Sequence, residues 1–173
     1  PPSCWVVEQL FEEGTSNVIS APPNQWKTWI LLHIAIEVAK GGLVFEHFKT
    51  KQQGVLIVNE EDTATNMQKR MKMLLGGSTE LPIYFHLLQG FKMNDAVATN
   101  ILNEMKKHNA SFLIMDPFSM IHNYKENDAT QMNMLFDHFK MFKREGITIL
   151  MAHHNRKSQN GVSNDPAQEM RGS

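Results

Sequence analysis

Ala21-Pro22-Pro23-Asn24-Gln25-Trp26-Lys27-Thr28 is the stretch on which the reading of this chain turns. It lies between an apolar run that closes at Ser20 and a helical pattern, Trp29 to Lys40, apolar on most faces. A loop that leaves a strand, opens a helix and ends in Lys-Thr is the setting of the phosphate-binding pattern GxxxxGK followed by Ser or Thr. In that setting backbone N–H groups and the helix N-terminus cradle phosphate. Lys27 reaches the β- and γ-phosphates, and the Thr28 hydroxyl ligates Mg²⁺. Two positions depart from the pattern. Ala21 and Trp26 stand where it has glycine, the residue that takes unusual backbone angles without strain. The plain alternative is a proline-rich turn before a helix that happens to contain Lys-Thr.

Working outward, short apolar runs alternate with longer helical patterns. Asn17 to Ser20 reads as the end of a strand, and Gly54 to Asn59 and Ser111 to Met115 as buried strands. Leu81 to His86 and Ile147 to Ala152 complete the set. Between them, Asp62 to Leu74 reads as an amphipathic helix with Asp62 or Thr63 as its N-cap. Asp95 to His108 places Val97, Ile101, Leu102 and Met105 on one face, and Ala129 to Lys143 puts Met132, Leu135, Phe136, Phe139 and Phe142 on one stripe. Repeated strand–helix–strand units with continuously apolar strands predict an α/β fold. Its sheet is mainly parallel and covered by helices on both faces. Ligands of such sheets bind at the carboxyl ends of the strands.

Carboxylates fall at two of those ends. Phe112-Leu113-Ile114-Met115 closes on Asp116, placed to hold a water on Mg²⁺, although an aspartate before proline also caps turns. Val55 to Asn59 closes on Glu60-Glu61-Asp62, where a carboxylate can polarise an attacking water. An acidic cluster that simply favours the next helix dipole is the competing account. Three such sites at the correct ends of three strands make coincidence a poor explanation.

Bulk properties narrow the class. The 173 residues carry 42% hydrophobic and 20% charged residues, ordinary for one globular domain. A net charge of −1 excludes a surface that grips nucleic acid everywhere, so any such contact is local. A single cysteine, Cys4, excludes a disulfide framework or thiolate-rich zinc site and fits a reducing compartment. No apolar run reaches the roughly 18 residues of a membrane span, and no basic leader precedes one. The 12 methionines, at core-like spacings, read as gap-filling packing residues. His33 and His86 read as hydrogen-bonded packing residues. The adjacent His153 and His154 point to opposite faces at a strand end and do not share an ion easily.

With these residues in view, the chain resembles the RecA-like P-loop ATPases grouped around the RepA-type hexameric replicative helicases, including phage and plasmid primase-helicase ATPase domains. The resemblance is carried by Trp5 to Leu10 with Glu13-Gly14, by the loop 21–28, and by Val55 to Asp62 with Arg70 in the next helix. It is carried further by Leu113 to Pro117, by Ile149 to Ser158 with its His153-His154-Asn155-Arg156-Lys157-Ser158, and by the closing Arg171-Gly172-Ser173. It implies a single RecA-like ATPase domain over 1–173, cut short of the family's further strands, with 155–173 as a loop region. It implies ATP and Mg²⁺ as ligands, Lys27 and Thr28 on phosphate and metal, and Asp116 in the metal shell through water. Glu61, rather than Glu60, matches the catalytic glutamate, and His153 matches the residue that senses the γ-phosphate.

The 155–173 stretch follows that sensor position and carries Arg156, Lys157 and Arg171. Six such loops lining a ring would concentrate charge for single-stranded DNA; a solvated surface loop is the simpler reading. The expected whole is a cytoplasmic, homo-hexameric, ATP-driven DNA helicase motor. Two alternatives stay open: a RecA-like recombination or regulatory ATPase without unwinding, and a nucleotide-binding domain that has lost hydrolysis because Trp26 blocks the loop.

Overall fold

Gly54-Val55-Leu56-Ile57-Val58-Asn59 is buried from end to end, which only a strand with neighbours on both edges and layers on both faces achieves. The computed structural model describes residues 4–22, 26–77, 80–124 and 128–154, with only the backbone of His154. Pro23, Asn24 and Gln25 of the loop, and Arg156, Lys157 and Arg171 of the expected DNA-binding stretch, lie outside the described residues.

The elements run β1 (Trp5–Val7), β2 (Phe11–Glu12), β3 (Ser16–Ala21), α1 (Lys27–Lys40), β4 (Leu43–Val44), β5 (Phe48–Lys49) and β6 (Gly54–Asn59). They continue α2 (Ala64–Leu75), β7 (Ile83–Leu87), α3 (Asp95–Lys107), β8 (Ala110–Asp116), a 3₁₀ turn (Phe118–Met120), α4 (Ala129–Arg144) and β9 (Thr148–His154). Five strands form one parallel sheet in the order β3-β9-β8-β6-β7. Two short hairpins, β1-β2 and β4-β5, stand apart from it, joined by a bridge from Val7 to Thr50. The predicted α/β fold and its parallel sheet are thus present.

Side chains alternate across the sheet and feed two cores. Val55, Ile57, Phe112, Ile114, Leu150 and Ala152 face α1 and α2, where Leu31, Leu32, Ala35, Val38 and Met67 meet them. Leu56, Val58, Leu113, Met115, Ile149 and Met151 face α3 and α4, against Ile101, Met105, Leu135, Phe139 and Phe142. Helices therefore cover both faces, as expected. Phe136 departs from its expected stripe. It is 41% exposed and meets the Phe139 ring edge-on, because its position lies at the rim of the arc centred on Phe139. The methionines also divide: Met67, Met93, Met105, Met115 and Met151 are core residues, while Met73, Met120 and Met134 are exposed.

Local chemistry sets the helix ends. Thr63, not Asp62, caps α2 by accepting from the Asn66 amide. Asn94 and Asp128 cap α3 and α4 with their side chains in the same way. Gly54 marks a close approach: a Cβ there would lie 2.9 Å from both Ala110 Cα and Asn109 O.

Candidate active site

Because the five strands are parallel, their carboxyl ends open on one edge of the sheet. Ala21, Glu60, Asp116 and His153 all stand there, at the ends of β3, β6, β8 and β9. Topology alone thus gathers residues separated by as many as 132 positions.

The loop between β3 and α1 delivers its lysine inward. Lys27 is 5% exposed, and its Nζ donates to the carbonyls of Ala21 at 2.8 Å and Pro22 at 2.7 Å. Burial pushes its pKa below 10.5, while the charges of Asp116 and Glu61 pull it back up. A buried ammonium in the first turn of a helix opposes both desolvation and the helix dipole. Neither packing nor helix stability accounts for it.

Trp26 answers the question raised by its sequence position. It takes the left-handed conformation, φ 56° and ψ 13°, that glycine would supply there. Trp26 is 70% exposed, and its ring tilts toward Trp29, with ring centroids 6.4 Å apart. Unlike the residues capping the other three helices, Trp26 makes no side-chain cap bond, and no acidic residue occupies the first turn of α1. The unpaired N–H donors of a helix N-terminus are the usual phosphate cradle.

Beside the lysine, Thr28 Oγ1 donates to Asp116 Oδ2 at 2.7 Å. Asn59 Nδ2 donates to the same oxygen at 3.1 Å. A hydroxyl and a carboxylate in contact offer the hard oxygen donors that Mg²⁺ takes alongside retained waters. The residues present therefore fit that cation, which Thr28 and Asp116 would hold.

The two glutamates separate by partner. Glu60 is buried, and its carboxylate accepts from the backbone N–H groups of Gln89 at 3.2 Å and Gly90 at 2.8 Å, tying the loop after β7 to β6. Glu61 is exposed and lies close enough to Lys27 to act on its charge. Asp62 pairs with Arg70, whose guanidinium lies 5.7 Å over the Trp29 ring.

His153 pairs in register with Ser20 of the phosphate-loop strand. By alternation it shares the face of Ile149 and Met151, across the sheet from α1 and Lys27. Lys27, Thr28 and Asp116 are thus brought together, near enough to Glu61 for its charge to act on Lys27, while His153 stands at the same sheet edge but on the other face. His33 accepts from the Phe45 amide at 3.0 Å and stacks on its ring, the packing role expected of it. His86 departs from the same expectation: it packs against Phe91, but its buried Nδ1 has no hydrogen-bond partner among the described residues. An apolar groove of about 710 Å³ between α2 and β7, lined by Met67, Met71, Ile83 and Phe85 among others, lies on the flank and carries none of these groups.

Sequence reasoning passed over Asn59. An asparagine closing a run of Val, Leu and Ile was its only signal.

A sequence-family model described as an AAA domain matches residues 1–160. The chain belongs to that family. No curated protein matches it. Among solved structures, a KaiC-like protein from the hyperthermophilic archaeon Pyrococcus horikoshii is similar in fold. Its TM-score is 0.55 at 18% identity, over 85% of this chain and 64% of that one. This AAA domain therefore spans somewhat under two thirds of that structure's length. The family match and the strand-end geometry together give a P-loop ATPase domain of the AAA kind, and the likeness to the KaiC-like protein is one of fold. Among the described residues, no helix is long and apolar enough to cross a membrane.

Proposed function

We propose that this domain hydrolyses ATP with Mg²⁺ and serves as the motor of a ring-forming helicase on single-stranded DNA. The observation that carries the ATPase is the contact of Thr28 with Asp116 beside the buried Lys27. The helicase assignment draws on the resemblance of the 149–158 and 171–173 segments to RepA-type proteins. It also draws on the position of β9, which leads from the nucleotide edge into the 155–173 stretch.

The chain's own groups divide the work. Lys27 exchanges the carbonyls of Ala21 and Pro22 for phosphate oxygens and neutralises their charge. The N–H groups opening α1 hold the phosphates without reorganising. Mg²⁺, when bound, supplies charge neutralisation at the phosphates, and Thr28 and Asp116 would hold it. Glu61 orients the attacking water and accepts its proton. His153, next to Ser20 in register, relays the state of the site into the chain that follows β9. Arg156, Lys157 and Arg171 supply the DNA contact.

The test is Mg²⁺-dependent ATP hydrolysis by wild type and Lys27→Ala, with and without single-stranded DNA, followed by strand displacement on a fork. Turnover that falls about 100-fold or more in Lys27→Ala and rises with DNA supports the motor. DNA-stimulated turnover without strand displacement assigns a recombination or regulatory ATPase instead. Nucleotide binding without phosphate release assigns a domain that has lost hydrolysis.

A further inference from the structure

Asn59 is 1% exposed, and its side-chain amide is used at both ends. Its Nδ2 donates to Asp116 Oδ2 at 3.1 Å. Its Oδ1 accepts from the backbone N–H of Glu61 at 3.1 Å and of Asp62 at 2.7 Å. A carboxylate requires a donor and two N–H groups require an acceptor, so the network leaves one orientation of the amide. Packing does not explain this residue. The position ends a strand of apolar side chains, where valine would fill the space and avoid burying an amide.

No other side chain of similar size does both jobs. Aspartate lacks the donor, serine lacks the reach, and glutamine is a methylene too long. The arrangement ties the carboxylate at the end of β8 to the backbone carrying Glu61 at the end of β6. A second tie runs in parallel through the backbone, from Glu60 N–H to Asp116 O at 3.0 Å.

We propose that Asn59 is a positioning residue for hydrolysis: it fixes the Glu61 backbone relative to Asp116, so that the water-orienting carboxylate and the metal-side carboxylate keep one separation. The inference rests on the ATPase reading above. Asn59 acts through these partners, the Asp116 carboxylate and the N–H groups of Glu61 and Asp62. Misplacing a reacting group by about 1 Å costs on the order of 100-fold in rate. The expected signature is therefore lost turnover with nucleotide affinity kept.

The experiment uses the full chain as wild type, Lys27→Ala, Asn59→Ala and Asn59→Asp. It reads kcat and KM for ATP with Mg²⁺ and, in nucleotide-free protein, amide hydrogen exchange across residues 60–63. Asn59→Ala is expected to lose about 30- to 100-fold in kcat with KM shifted less than about threefold. Its Glu61 and Asp62 amides are expected to exchange faster. Asn59→Asp keeps the acceptor, so exchange at those amides stays close to wild type. Its second carboxylate oxygen cannot donate to Asp116, so kcat stays as low as in Asn59→Ala.

Turnover within about threefold of wild type in either folded variant overturns the proposal. So does unchanged exchange in Asn59→Ala. If Asn59→Ala does not fold, Asn59→Asp carries the test, because it preserves the shape and two of the three hydrogen bonds. Wild type without Lys27-dependent turnover defeats the ATPase reading, and the inference with it. A dead Lys27→Ala beside an active Asn59→Asp defeats the inference alone.

Discussion

Replacing Trp26 with Gly, Ala and Val asks whether the backbone or the side chain matters at the most unusual position of the loop. In an ordinary helix interior Ala is preferred to Gly by about 1 kcal/mol. At Trp26 the backbone is left-handed, φ 56°. That conformation costs a residue with a Cβ about 1–2 kcal/mol, against about 0.5–1 kcal/mol for the greater chain entropy glycine loses. The difference favours Gly over Ala by about 0.5–1 kcal/mol, and a β-branched Val is worse again by about 1 kcal/mol. All three lose the same indole, largely exposed as it is, so that loss cancels from the ranking.

Urea unfolding of the nucleotide-free variants, at equal m-values, is the assay. The expected order is Gly, then Ala, then Val, reversed from helix propensity. Binding of a fluorescent ATP analogue is expected to survive in Gly at wild-type strength or better, since Trp26 is largely exposed. Ala equal to or above Gly, or Val equal to Gly, would refute the backbone account of Trp26. Loss of nucleotide binding in Gly alone would mean that the indole itself touches the ligand.

Other substitutions separate roles that look alike in sequence. Glu60→Gln should cost about 1–2 kcal/mol by weakening the bonds to Gln89 and Gly90, read by urea unfolding, with turnover little changed. Glu61→Gln should leave stability within about 0.5 kcal/mol, as an exposed residue, yet reduce turnover about 100-fold or more with nucleotide binding intact. Gly54→Ala should destabilise by about 1–3 kcal/mol in the same urea assay, because its Cβ meets backbone at Ala110 and Asn109 that cannot step aside. Lys27 titrates below 10.5 in the folded protein, so between that lowered value and 10.5 the unfolded chain binds more protons and stability rises with pH. Lys27→Met should lack this rise, as the difference between the two proteins' unfolding curves at pH 8 and pH 10 would reveal.

The strands and helices of the sheet were legible because each is long and strongly patterned. Gly54 to Asn59 coincides with β6 residue for residue, and the helix of 95–108 differs from α3 only at the capping His108. The hairpins β1-β2 and β4-β5 were not, since strands of two or three residues are too short to show alternation. In the site, Lys27, Thr28 and Asp116 could be read because chemistry and strand position coincide. The choice of Glu61 over Glu60 came by resemblance; the backbone partner of Glu60, 29 positions away at Gln89, is encoded by no local pattern. Asn59 was hidden for the same reason, its partner Asp116 being 57 positions distant. Phe136 was misplaced because periodicity gives the centre of a buried stripe better than its width.

The pairing of β3 with β9 has a mechanical side. The two strands run in the same direction over six register pairs, Ser16 with Ile149 through Ala21 with His154. A pull on His154 along the strand axis therefore loads every rung of that ladder in shear at once, whereas a pull across it would peel the rungs singly. Under the proposed function, tension arriving at His154 would pass through that ladder into the strand that leads to the phosphate loop.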